Sequence, residues 1–230
     1  MWNTPHEFLD LAASTSDPSV IASVTDALDG NGPCAKLWKL TDLPEGGNDE
    51  DDEAAREGGV NEPVAQMLSL LSDVPRVGGG GGAGATADAP IHIVWAPLAN
   101  GHSPNSFLTA SARAVQAWTM REGGGMGEAG AARYDNDASF VGGFAWDPHH
   151  ASEVAVAMGG SVLGWDLRSG ERTRAIEHAV AAGAGVVRSL SYNPNRPWYL
   201  ASAGDDFRVK IWDLRRAAAP LKVLDGHSHW

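Results

Sequence analysis

Short runs of alternating apolar and polar residues recur along this chain, and one set of four shares a single form, a β-prone run with tryptophan near its end. These are KLWKL (Lys36–Leu40), VQAWT (Val115–Thr119), VLGWD (Val162–Asp166) and VKIWD (Val209–Asp213). A period of two, rich in β-branched and aromatic residues, predicts strands with one buried face. A second set precedes three of them: IHIVWAP (Ile91–Pro97), GFAWDP (Gly143–Pro148) and RSLSYNP (Arg188–Pro194). Each stops at an aromatic followed two residues later by proline, which has no N–H with which to continue a central strand. Between the two sets lie further strands at Phe107–Ser111, Glu153–Ala157 and Tyr199–Ala203. Weaker fourth strands are expected at Val64–Leu71, Ala131–Tyr134, Thr173–Glu177 and Leu221–Leu224. An earlier unit fits as Glu7–Ala12, Val20–Val24 and Lys36–Leu40.

The spacing is regular. Trp118, Trp165 and Trp212 are each 47 residues apart, and the 80 residues from Trp38 to Trp118 hold one such unit plus low-complexity insertions. A four-stranded unit repeating every 40–50 residues is the signature of a β-propeller blade. The expected fold is all-β, with four blades in the chain.

Composition refines this picture. Of 230 residues, 43% are hydrophobic and 20% charged, which suits a folded chain. The net charge of −12 disfavours nucleic acid or an anionic membrane as the main partner. Charge is concentrated between Asp42 and Glu57, where eight acids face only Arg56. With no apolar pattern to offset ordering entropy, residues 45–59 are expected to be a disordered acidic insertion. The glycine-rich run at 78–87 reads as a flexible linker, and Gly123, Gly124, Gly125 and Gly127 as a third break. The single cysteine, Cys34, leaves no intrachain disulfide or thiolate cluster. No apolar run approaches the 18 or so residues of a membrane span, and the first ten residues lack a signal-peptide pattern. A soluble intracellular protein is the expectation.

The last unit brings candidate polar residues together. His178 near its entry, Ser202 on the second strand, Asp206 in the next turn and Trp212 on the third are expected to form one buried hydrogen-bonded chain. The role is structural. A hydrolytic triad would need a strained nucleophile elbow and an oxyanion hole, and no GxSxG is present. His149 and His150 are adjacent and seldom converge on one metal ion, and the glycine runs lack the lysine and hydroxyl of a phosphate loop. No catalytic residue, metal, cofactor or small-molecule substrate is expected.

The Gly226–His227 pair and the WDLR endings at Trp165–Arg168 and Trp212–Arg215 resemble the WD-repeat β-propeller superfamily. HEFLDLAAS (His6–Ser14), SYNPNRPWYLASAGDDFRVKIWDLR (Ser191–Arg215) and LDGHSHW (Leu224–Trp230) are similar to the EARP-interacting protein family, the TSSC-type WD-repeat proteins. The resemblance implies about seven blades, so the four found here read as part of a ring. It also implies a non-enzymatic scaffold that binds EARP and GARP tethering complexes, cytoplasmic and peripheral at endosomes and the trans-Golgi network, in recycling and retrograde transport. An interrupted ring exposes apolar sheet faces, so the sequence reads as a fragment of a longer chain. The alternative is a short protein completed by a partner or by self-association, and the 230 residues alone are expected to be marginally soluble or to associate. Two units depart from the signature, since Trp118 is followed by Thr119 and Trp38 by Lys39. A second reading rests on Arg168 and Arg215. Paired WDxR endings resemble substrate receptors that dock on the adaptor of cullin-type ubiquitin ligases, where arginine can grip a carboxylate with both nitrogens.

Overall fold

A computed structural model describes residues 6–27, 32–40, 68–74, 90–98, 101–121, 125–133 and 141–228. The acidic segment 45–59 and the glycine-rich segment 78–87 lie outside them. Among the described residues, sixteen strands form four antiparallel sheets, each a four-stranded meander taken in chain order. The first blade is β1 (His6–Ala13), β2 (Val20–Ala27), β3 (Gly32–Leu40) and β4 (Leu68–Asp73). The second is β5 (His92–Trp95), β6 (Ser106–Ala110), β7 (Ala114–Met120) and β8 (Met126–Arg133). The third is β9 (Val141–Trp146), β10 (Glu153–Met158), β11 (Ser161–Asp166) and β12 (Glu171–Ile176). The fourth is β13 (Val187–Tyr192), β14 (Tyr199–Gly204), β15 (Val209–Asp213) and β16 (Lys222–Leu224). Each inner strand packs on the preceding sheet: β5 on β1 and β2, β9 on β5, and β13 on β9 and β10. The arrangement is a partial β-propeller.

Three apolar layers lie between successive sheets, because alternation sends neighbouring residues of one strand into different layers. On β10, Val154 and Val156 enter the layer shared with the second blade, while Ala155 and Ala157 enter the one shared with the fourth. The third layer joins Val20, Ala22 and Val24 of β2 to Ile93, Trp95 and Phe107. A small residue on one side lets a large aromatic from the other approach, which is how Ala155 and Ala157 meet a layer containing Tyr192 and Trp212.

The glycine break expected at Gly123–Gly127 needs correction at its end. Gly127 lies inside β8, paired with Thr119 of β7, and Ala131–Tyr134 is only the tail of a strand that starts at Met126. Backbone hydrogen bonds hold β8 to β7 without requiring apolar side chains, so periodicity does not reveal it. Gly130 shows why small residues are used here: a Cβ on it would stand 2.9 Å from the carbonyl oxygen of Leu167 in the next blade.

Candidate functional site

One hydrogen bond recurs at the same register in three blades. The indole Nε1 of Trp38 donates to Ser23 Oγ at 2.8 Å, that of Trp118 to Thr109 Oγ1 at 2.9 Å, and that of Trp212 to Ser202 Oγ at 2.9 Å. In each case the hydroxyl lies two residues beyond the direct cross-strand partner of the tryptophan: Ile21, Phe107 and Leu200 respectively. Trp165 faces Val154, so the equivalent position in the third blade is Val156, whose side chain has no hydroxyl to play this part. The outer strand also yields at these residues. Its register shifts immediately before Trp38, Trp118 and Trp165, and in the fourth blade the pairing stops at Ile211. A bulge there twists the outer edge away and makes room for the indole.

Of the four residues expected to form one chain, the structure joins only Ser202 and Trp212. Asp206 receives Lys210 Nζ at 2.6 Å instead, and the same ammonium donates to the carbonyl oxygen of Ala179. His178 is exposed, with a left-handed backbone (φ 58°) that turns its ring away from the blade. The expected imidazole link is therefore corrected. Lys210 ties the turn after β14 to the segment entering the blade, the task assigned to His178. The signal was present: Lys210 alternates onto the face of Trp212, four residues from an aspartate across a tight turn.

Arg168 and Arg215 each stand over the aspartate of their own WDLR ending. Arg215 grips Asp213 with two nitrogens at 2.9 and 2.7 Å. Arg168 reaches Asp166 only at 3.8 Å, and its side chain is 85% exposed. The paired hydrogen bonds donated by Arg215 hold the Asp213 carboxyl well below the ordinary 3.8, at about 2. Since the folded-state value is depressed, this pairing contributes above the unfolded value and is lost as pH falls through about 2. Carboxyl-carbon NMR should show Asp213 titrating near 2, and Arg215→Ala should move the midpoint up toward 3.8. An unchanged midpoint in the variant would show that the guanidinium is not its cause.

The loops after the inner strands carry a second repeating device. Ser14, Ala96, Asp147 and Asn193 are equivalent, since each N–H closes the first pairing of its loop, onto Val20, Ser106, Glu153 and Tyr199. Polar side chains of the preceding blade reach the carbonyls of three of them. Thr15 Oγ1 donates to Ala96 O at 2.7 Å, His102 Nε2 to Asp147 O at 2.8 Å, and His149 Nε2 to Asn193 O at 2.9 Å. A carbonyl only accepts, so each ring carries its hydrogen on Nε2. Burial pushes the pKa of His102 down, opposed in part by its bond to Asp147. Asp147 itself is fully buried and accepts the N–H of His149 at 2.8 Å and Nδ1 of His150 at 3.0 Å. His150 in turn packs on Trp198, 4.8 Å between centroids, with the Arg174 guanidinium 4.7 Å from the same ring. The aromatic-x-proline endings thus mark loops that fasten one blade to the next, a role the sequence reading did not give to His102 or His149. Among the described residues no group of three His, Cys, Asp or Glu is placed to hold a metal ion, and no helix is long and apolar enough to cross a membrane.

Four-stranded meanders packed face to face, three of them pinned by a tryptophan–hydroxyl bond and two ending in WDLR, define a WD-repeat β-propeller protein. The EIPR1 beta-propeller family model matches residues 86–230, and the chain belongs to that family. It is 30% identical to the EARP and GARP complex-interacting protein 1 of Rattus norvegicus, over 97% of this chain and 54% of the relative. It is 29% identical to the EARP-interacting protein homolog of Gekko japonicus, over the same shares. It is 24% identical to the WD repeat-containing protein DWA2 of Arabidopsis thaliana, over 100% of this chain and 55% of the relative. The chain spans about half the length of these relatives.

Proposed function

We propose that the chain is a non-enzymatic interaction scaffold that binds EARP and GARP tethering complexes at the cytoplasmic side of endosomes and the trans-Golgi network, in recycling and endosome-to-Golgi retrograde transport. The observation that carries this reading is a match over 97% of the chain to a relative named for both complexes. The chemistry of the blades supports it. The bonds of Ser202, Asp206 and Trp212 are spent within one blade, those of His102 and His149 between blades, and none of these groups is paired as nucleophile and base. Residues 45–59 belong to this proposal as an acidic surface insertion and 78–87 as a linker loop.

A second reading, docking to a cullin-ligase adaptor, is favoured by the 85% exposed side chain of Arg168. Affinity purification of the tagged chain from cell extract separates the two. Tethering subunits should be recovered above a tag-only control, and Arg168→Ala should leave that recovery unchanged. Recovery of a ligase adaptor and cullin, abolished by Arg168→Ala and without tethering subunits, would overturn the trafficking reading.

A further inference from the structure

We propose that Ser103 is phosphorylated by a proline-directed serine/threonine kinase, and that its phosphate fills in the second blade the place the Asp17 carboxylate holds in the first. The loops between inner and second strands repeat one tight turn. The Val20 N–H closes it onto Asp17 O at 3.0 Å, the Ser106 N–H onto Ser103 O at 3.1 Å, and the Glu153 N–H onto His150 O at 3.0 Å. Pro18, Pro104 and Ala151 take its second position, where the fixed φ of proline suits the turn. Asp17, Ser103 and His150 are therefore equivalent, and two of the three use their side chains. Asp17 Oδ1 accepts the Ser19 hydroxyl at 2.6 Å and the Ser19 N–H at 2.9 Å, and these bonds hold its carboxyl below the usual aspartate value. His150 is bound to Asp147. Ser103 is exposed, and among the described residues neither its hydroxyl nor the Asn105 N–H two residues on has a partner. The second blade thus repeats the turn and the donor of the first, with a hydroxyl where the first has a carboxylate.

The dipeptide supplies the recognition. Ser103–Pro104 and Thr4–Pro5 are the two Ser/Thr–Pro pairs of the chain, and Thr4 lies outside the described residues. Proline has no N–H, so a kinase groove with no acceptor after the serine takes Ser-Pro and rejects residues that would bury an unpaired donor. One exposed bond of 3.1 Å closes the turn, so the segment can open into that groove. In the transfer, Ser103 Oγ bonds to the γ-phosphorus of Mg-ATP and the bond from that phosphorus to the bridging oxygen breaks. ADP leaves, and the hydroxyl proton passes to the catalytic aspartate of the kinase. The product carries a charge of roughly −2 and three strong acceptor oxygens, which suit the Asn105 N–H. The modified loop is also a joint between blades. Asn105 Oδ1 accepts Ser16 Oγ of the first blade at 3.4 Å, and His102 Nε2 donates to Asp147 O of the third at 2.8 Å.

Incubation of the folded chain with Mg-ATP and a mitogen-activated protein kinase, read by residue-resolved mass spectrometry, tests the site. Phosphate should appear on Ser103, persist in Ser103→Thr and vanish from this position in Ser103→Ala. Pro104→Ala should slow the labelling by more than about tenfold. It should keep the turn, since Ala151 serves the same turn in the third blade. In amide NMR, phosphorylation and Ser103→Asp should each move the Asn105 N–H signal downfield, the mark of a new charge-assisted bond. Phosphate confined to Thr4 overturns the assignment, as does equal labelling of Pro104→Ala. So does a folded chain unmodified at Ser103 while the same kinase labels a free peptide of residues 101–107. An Asn105 signal that neither change moves overturns the capping role.

Discussion

Trp212→Ala should cost about 3–5 kcal/mol of folding free energy, the range for truncating a large aromatic in a packed core. The indole is 3% exposed, in a layer with Leu200, Tyr192 and Val187, and its Nε1–H is the donor to a buried Ser202 hydroxyl. Truncation opens a cavity between the third and fourth blades and strips that hydroxyl of its partner. Trp38→Ala provides the contrast. It breaks the same kind of bond, to Ser23, but Trp38 is only half-buried, so less apolar area is lost. Denaturant unfolding at one protein concentration, which keeps association constant, measures both. Equal losses would mean that the indoles act through their hydrogen bonds alone and that the layer between blades carries little.

Lys210→Met should cost about 3 kcal/mol, because it leaves the Asp206 carboxylate without its counter-ion in a poorly solvated turn. Only 13% of the lysine side chain and 11% of the aspartate side chain reach solvent, and the ammonium also serves the Ala179 carbonyl. Adding Asp206→Asn to the lysine variant should restore part of the loss, since the stranded charge is removed. His178→Ala should stay within about 0.5 kcal/mol, as for other exposed positions. A larger loss at His178 than at Lys210 would restore the imidazole to the network and refute the assignment to lysine.

The architecture was readable wherever a strand is buried on a face. The 47-residue spacing of Trp118, Trp165 and Trp212 located the third strands, and the aromatic-x-proline endings located the inner ones, because both features reflect packing against a neighbouring sheet. The first half of β8 is missed, with a break expected at Gly123–Gly127 and a strand only at Ala131–Tyr134, since an outer strand is held by backbone bonds that leave no trace in polarity. Within the site, the Ser202–Trp212 bond follows from strand register alone. The partner of Asp206 does not. It depends on the left-handed turn at His178, a local backbone choice made by the loop entering the blade and one that no alternation pattern encodes. The loop contacts of His102 and His149 escaped for a related reason: each acceptor is a backbone carbonyl 45 or 44 residues away, and carbonyls have no sequence identity.

Binding of the purified chain to reconstituted EARP and GARP complexes tests the central claim most directly. Saturable binding by the folded 230-residue chain is expected, weakened in Trp212→Ala, which destabilises the fourth blade, and retained in His178→Ala, which alters an exposed position. A cooperatively folded chain that binds neither complex, while the full-length rat relative binds both under the same conditions, would contradict it.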